Sequence, residues 1–169
     1  MAQFVNDSFT ASNGTLLSAH TGEVGASWTA SNFTTGTARI DANRAHANTN
    51  ATGWWFASGL PTGAEYDLTI VVNTVTAVQA VGMLARGDPA SADVYWVNYS
   101  RSTGTLTLFR VIGGSPTSLG TYSVAFPVGE DHTITFEVRN AAKRVFGARG
   151  AQMARVASTA ATATVATKT

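Results

Sequence analysis

Cysteine is absent from the 169 residues, which excludes disulfides, thiolate zinc sites and cysteine nucleophiles together. Charge is scarce, at 12% of residues, and its 11 basic and 10 acidic side chains leave a formal net charge of +1. No overall field exists to recruit nucleic acid or an anionic membrane, so neither is expected as a partner. No run approaches the roughly 18 apolar residues of a membrane span. The start Met1-Ala2-Gln3-Phe4-Val5 has neither the basic nor the apolar stretch of a signal peptide, and a soluble chain made in a cytoplasm is expected. No long 3.6-period apolar stripe occurs before residue 140, so helix should be marginal. The segment 151–157 is the candidate for one short helix. No repeat of 20–50 residues points to a solenoid or propeller.

What is present is a hydrophobic content of 44% with 16 glycines and four prolines, which suits one compact domain and excludes a disordered chain. Apolar and polar residues alternate most clearly in Thr133-Ile134-Thr135-Phe136-Glu137-Val138-Arg139, the pattern of a half-buried antiparallel strand. Strand-like runs also cover 65–75, 81–86, 94–99 and 105–112. Turn chemistry bounds them: Leu60-Pro61-Thr62-Gly63, Gly87-Asp88-Pro89, Ser102-Thr103-Gly104, Gly113-Gly114-Ser115-Pro116 and Pro127-Val128-Gly129. Turns about ten residues apart favour an all-β sandwich or barrel over alternating strands and helices.

The small net charge hides an asymmetry. Residues 1–138 hold five arginines and all ten acids, a balance of −5, whereas 139–169 hold Arg139, Lys143, Arg144, Arg149, Arg155 and Lys168 with no acid. From Ser158 onward the chain is nearly all alanine and threonine. Three readings compete for this end: a final strand on the domain's own sheet, an arm that adds to a neighbouring subunit, and a disordered tail. A cationic end on an anionic body favours contact between copies, which makes the six basic residues candidates for partner binding.

Catalytic patterns are sparse. Glycoside cleavage needs two carboxyl groups about 5–9 Å apart. No Glu-x-Asp-x-Glu spacing exists; Glu65 and Asp67 read as a solvated strand edge, and Glu130-Asp131-His132 as a polar turn. His20, His46 and His132 have no partner at ligand spacing, and no Asp-x-Asp-x-Asp-Gly loop supports calcium at Asp88 or Asp93. Neither a Gly-x-Ser-x-Gly elbow nor a phosphate-cradling glycine pattern occurs. The expectation is no catalytic residue, no metal and no cofactor. The Asn-x-Ser/Thr matches at Asn6, Asn13, Asn32, Asn50 and Asn98 reflect composition. Aromatics cluster at Trp54-Trp55-Phe56 and Tyr95-Trp96-Val97-Asn98-Tyr99. In strands, neighbours face opposite ways, so part of each cluster must leave the core. Trp54, Trp55, Tyr95, Trp96 and Tyr99 are therefore candidates to stack on sugar rings, against the alternative that they fill the sandwich and cover its outer sheet.

The order of features resembles the concanavalin A-like lectin/glucanase superfamily in its laminin-G-like jelly-roll form. Asp7-Ser8-Phe9-Thr10 and Gly22-Glu23-Val24-Gly25-Ala26-Ser27-Trp28 are similar to the opening of many such domains. Tyr66-Asp67-Leu68, Val81-Gly82-Met83-Leu84-Ala85-Arg86, the run 95–99, Gly104-Thr105-Leu106-Thr107-Leu108, Leu119-Gly120-Thr121 and the run 132–139 follow in order, covering roughly residues 4–150. The resemblance implies an antiparallel jelly-roll β-sandwich over 1–150 with an Ala/Thr-rich C-terminal arm or final strand over 151–169. The carboxylates of the glucanase members have no counterpart here, so hydrolysis is not implied. The usual closing strand is replaced by the Ala/Thr segment, which leaves the edge near Phe4 to Phe9 open to a partner.

Stand-alone domains of this kind also look similar to bacteriophage virion proteins. The resemblance implies a non-enzymatic capsid decoration protein in the virion, made in the host cytoplasm. Its partners would be a major capsid protein or other virion protein and further copies of itself, a trimer for instance. The alternative is a carbohydrate-binding, lectin-like module of a phage tail or receptor-binding apparatus, with a glycan as partner.

Overall fold

The computed structural model describes residues 3–32, 34–47, 53–63, 65–73, 80–87, 90, 93–139, 142–149, 152–159 and 162–168, the last three segments as backbone. Their regular elements are strands, apart from a three-residue 3-10 turn at Leu17–Ala19. The chain divides into two compact units, Met1–Thr62 with Gly87–Ala92, and Gly63–Arg86 with Asp93–Thr169.

The first unit is built from short ladders. β1 (Trp28–Ala30) pairs antiparallel with β4 (Trp55–Ala57), and β2 (Ala38–Asp41) with β3 (Arg44–Ala47). The β2–β3 turn places Ala42 at φ 48° and Asn43 at φ 56°, both left-handed as a two-residue hairpin with right-handed strand twist requires. Asn13 holds it by accepting the Ala42 N–H at 3.0 Å. Leu17, Ala26, Ala38 and Ile40 are its buried apolar residues. Gly25 sits at φ 56°, and a Cβ there would lie 2.2 Å from the Phe4 carbonyl oxygen, so the position requires glycine.

The second unit is a sandwich of two antiparallel sheets. One has four strands in sequence order: β6 (Ala80–Ala85), β7 (Val94–Ser100), β8 (Thr105–Ile112) and β9 (Ser115–Ser123). The other contains β5 (Tyr66–Asn73), β10 (Asp131–Val138), β11 (Ala142–Arg149), β12 (Gln152–Thr159) and β13 (Thr162–Lys168), in the order β13-β12-β11-β10-β5. Alternation decides which side is buried. His132, Ile134, Phe136 and Val138 of β10 are buried, while Asp131 and Thr133 are exposed and Thr135 and Glu137 half-buried. Val97 and Tyr99 of β7 face inward with their cross-strand partners Leu108 and Leu106. Phe126 joins the layers, stacking at 4.3 Å on Tyr99 and at 4.3 Å on His132.

Two strands differ from the sequence reading. The stretch 113–116 reads as a turn, yet β9 begins at Ser115 and pairs Pro116 with Val111. β9 is the sheet edge, where proline's missing N–H costs no ladder bond, and a register shift between Leu108 and Phe109 absorbs the irregularity. The helix considered at 151–157 is instead β12 from Gln152 onward, hydrogen-bonded to β11 on one side and β13 on the other. Ladder pairing on both sides outweighs the modest helix preference of alanine.

Candidate functional site

In the first unit, Asp7, Phe9, His20, Gly22 and Trp28 form one polar knot. The Asp7 carboxylate, 3% exposed, accepts the Trp28 indole N–H at 2.6 Å and the Phe9 amide N–H at 2.6 Å, and lies 2.8 Å from Nε2 of His20, whose side chain is 7% exposed. Phe9 adopts φ 53° and sets its ring 5.7 Å from that of Trp28. A Cβ at Gly22 would strike Asp7 Cγ at 2.5 Å, which explains the glycine. Beside the knot, the Ser8 hydroxyl and amide both donate to Glu23 and hold its carboxyl below the usual range. With the Asp7 oxygens engaged and almost no solvent access, the knot is scaffold. Trp54 and Trp55 also belong to this unit, both half-buried around β4. Trp54 is fixed by backbone bonds with Thr34 and Ser31.

The other three aromatic candidates belong to β7 and part company there. Tyr99 is 1% exposed, and its phenol oxygen accepts the Phe126 amide N–H at 3.0 Å. It is a core residue and is withdrawn as a sugar platform. Trp96 is on the opposite face, half-buried and stacked on its partner Phe109 at 5.1 Å. Tyr95, at the start of β7, lines a depression of about 290 Å³ together with Arg86, Asp93, Val94, Arg110, Val111 and Ile112.

Register explains the convergence. Tyr95 pairs with Arg110 across β7–β8 and with Ala85 across β6–β7, so Arg86 begins beside it where β6 ends. Arg86 turns the chain at φ 53°, and its amide donates to the Tyr66 phenol at 3.1 Å. Asp93 Oδ1 accepts the Gly113 N–H at 2.7 Å, tying the start of β7 to the β8–β9 turn. Val94 and Val111 are buried, while Arg86, Asp93, Arg110 and Ile112 are exposed. The result is a half-buried aromatic ring in a depression that it shares with two arginines and one aspartate. Arg86 and Arg110 were not among the sequence candidates, and Asp93 was weighed only for a calcium loop, because their convergence is set by register across three strands, which no local motif carries.

The basic residues after 138 are not equivalent. Arg139 donates to Asp67 at 2.6 Å and to the carbonyls of Tyr66 and Val138, with Glu137 3.8 Å away. Asp67 above all raises its pKa further, so the guanidinium is committed to clamping β5 to β10 rather than offered to a partner. Lys143, Arg144 and Arg149 lie on β11, opposite Val138 or Ser158, Glu137 or Ala157, and Gln152; Arg155 lies on β12 opposite Phe146, and Lys168 on β13 opposite Met153. Three polar residues weighed for acid/base work have structural partners as well: Asp67 binds Arg139, Asp131 accepts from Asn73 at 2.7 Å, and buried His132 lies 3.2 Å from the Pro127 carbonyl oxygen. Among the described residues, no group of three or more His, Asp or Glu side chains is placed to hold a metal.

No family model and no curated protein matches the chain. Among solved structures, the carbohydrate binding module CBM66 from Bacillus subtilis is similar, with a TM-score of 0.61 and 14% identity over 71% of this chain and 73% of that one. At that identity the likeness shows the fold alone, an all-β, antiparallel jelly-roll sandwich.

Proposed function

We propose that this chain is a non-catalytic carbohydrate-recognition module whose binding surface is the depression around Tyr95. The observation that carries the reading is the composition of that depression. A tyrosine ring offers a stacking face to a sugar's C–H surface, and Arg86, Arg110 and Asp93 supply donors and an acceptor for its hydroxyls. Similarity in fold to a structure titled a carbohydrate binding module supports the same reading. The recognition is by surface, with oriented polar groups at the end of a rigid sheet and no acid/base pair involved. A glycan array followed by calorimetric titration tests it: Tyr95→Ala should abolish binding while Trp54→Ala leaves most of it. Retention of full affinity by Tyr95→Ala would refute the assignment.

The capsid-decoration role expected from the sequence is kept as a second reading, favoured by one feature. β13 is the terminal strand of its sheet, and a terminal strand carries a row of main-chain groups on which a neighbouring copy could build. On this reading the chain self-associates, and native mass spectrometry should show an oligomer that Val165→Pro dissociates. A monomer at micromolar concentration would sink it.

A further inference from the structure

Asn13 is the one asparagine in the chain that a glycine follows. Such a pair can modify itself, because glycine has no side chain to keep its own amide nitrogen from reaching the carboxamide before it. Ser12, Asn13 and Gly14 are exposed in a turn of the first unit, and a Cβ at Gly14 would meet nothing within 4 Å. Neither burial nor crowding protects the pair.

Two hydrogen bonds do. The Gly14 nitrogen would be the nucleophile, and its N–H donates to the Ile40 carbonyl oxygen at 2.8 Å, while the Ile40 N–H donates to the Thr15 carbonyl oxygen at 2.8 Å. Ile40 belongs to β2 and is fully buried, which anchors this contact in the core of its unit. The Asn13 carboxamide would be the electrophile, and its Oδ1 accepts the Ala42 N–H at 3.0 Å from the β2–β3 turn. A carbonyl oxygen accepts a hydrogen bond but is too weak a base to remove the amide proton. While the Gly14 N–H stays on Ile40, its nitrogen cannot attack.

We infer that Asn13 is a self-deamidation site gated by the β2–β3 hairpin, reacting only when residues 13 and 14 leave Ile40 and Ala42. In the opened segment hydroxide removes the Gly14 amide proton, the nitrogen bonds to Asn13 Cγ, and the Cγ–Nδ2 bond breaks to release ammonia and leave a cyclic imide. Water then opens the imide, so the net change is carboxamide plus water to carboxyl plus ammonia. Attack at Cγ restores the ordinary backbone as aspartate, whose carboxylate still accepts the Ala42 N–H. Attack at the main-chain carbonyl routes the backbone through the side chain, one methylene longer. That isoaspartate cannot remake the Ile40 and Ala42 contacts together, so the hairpin loses the segment that covered it.

The test holds the full chain in mildly alkaline buffer, native in one arm and unfolded in guanidinium chloride in the other. Mass spectrometry follows the amide-to-acid mass gain of the peptide that contains Asn13, and chromatography separates aspartate from isoaspartate. Native conversion should be on the order of tenfold or more slower than unfolded conversion, the factor that an opening free energy of about 1.4 kcal/mol or more imposes. Ile40→Val loosens β2 without altering either reacting group, and should speed native conversion several-fold while leaving the unfolded rate unchanged. The isolated isoaspartyl form should unfold at lower denaturant than the wild type, whereas Asn13→Asp should match it. Native conversion as fast as unfolded conversion, or an isoaspartyl form as stable as the wild type, would overturn the gating, and no conversion in the unfolded arm would overturn the site itself. The comparison of the two arms needs no variant, so an Ile40→Val protein that failed to fold would leave it decisive.

Discussion

Replacing Tyr99 by phenylalanine isolates one buried hydrogen bond. The ring and its 4.3 Å stack on Phe126 are retained, and only the phenol oxygen that accepts the Phe126 amide at 3.0 Å is lost. The amide cannot turn to water, because Tyr99 is 1% and Phe126 4% exposed. An orphaned buried donor costs about 2 kcal/mol. For a chain of this length that corresponds to a fall of roughly 4–8 °C in the unfolding temperature. Differential scanning calorimetry, paired with urea unfolding, should show the loss with an unchanged urea slope. Glycan affinity should be untouched, since the residue has no surface to offer. A variant as stable as the wild type would refute the hydrogen-bond accounting, and a variant that folds normally but loses glycan binding would refute the placement of Tyr99 in the core.

Asp7→Ala strands the Trp28 indole N–H and the Phe9 amide in a site with little solvent access, and should cost about 3 kcal/mol by chemical denaturation, far more than a surface carboxylate. Gly25→Ala forces a Cβ toward the Phe4 carbonyl at a left-handed φ and should destabilise by about 2 kcal/mol or more in the same assay. Burial raises the Tyr66 phenol above its ordinary 10.0, with hydrogen bonds from the Arg86 amide and side chain and the Arg86 charge acting the other way. The folded protein thus favours the neutral phenol, so this contribution is complete below pH 10 and is lost as pH rises through the raised value. Urea midpoints on either side of pH 10 should fall less steeply for Tyr66→Phe than for the wild type.

Strands with a simple face pattern were legible in the sequence. Alternation at 133–139 corresponds to β10 at Asp131–Val138, and the run 105–112 coincides with β8. The opening motif with Asp7, Phe9 and Trp28 was legible as a resemblance, and the structure supplies its physical cause in one carboxylate serving two N–H donors. Short ladders such as β1 with β4 were not legible, because three residues carry no period and their pairing joins positions far apart in sequence. β9 was hidden by Gly and Pro, which signal turns locally but are tolerated at a sheet edge. Of the aromatic candidates, alternation could separate Trp96 from its neighbours, but not Tyr95 from Tyr99, which share a face and differ only in distance from the strand end. Arg139 looked like the start of a cationic tail because its partner Asp67 is 72 positions upstream, a contact made only when β5 and β10 pair.

The most direct test is an amide-resolved NMR titration of the full chain with the tightest ligand found on the glycan array. Signals of Arg86, Asp93, Tyr95, Arg110 and Ile112 should move saturably, while those of Tyr99 and Asp7 stay still. Saturable shifts confined to other residues, such as those around Trp54 and Trp55, or no shifts at all, would contradict the site.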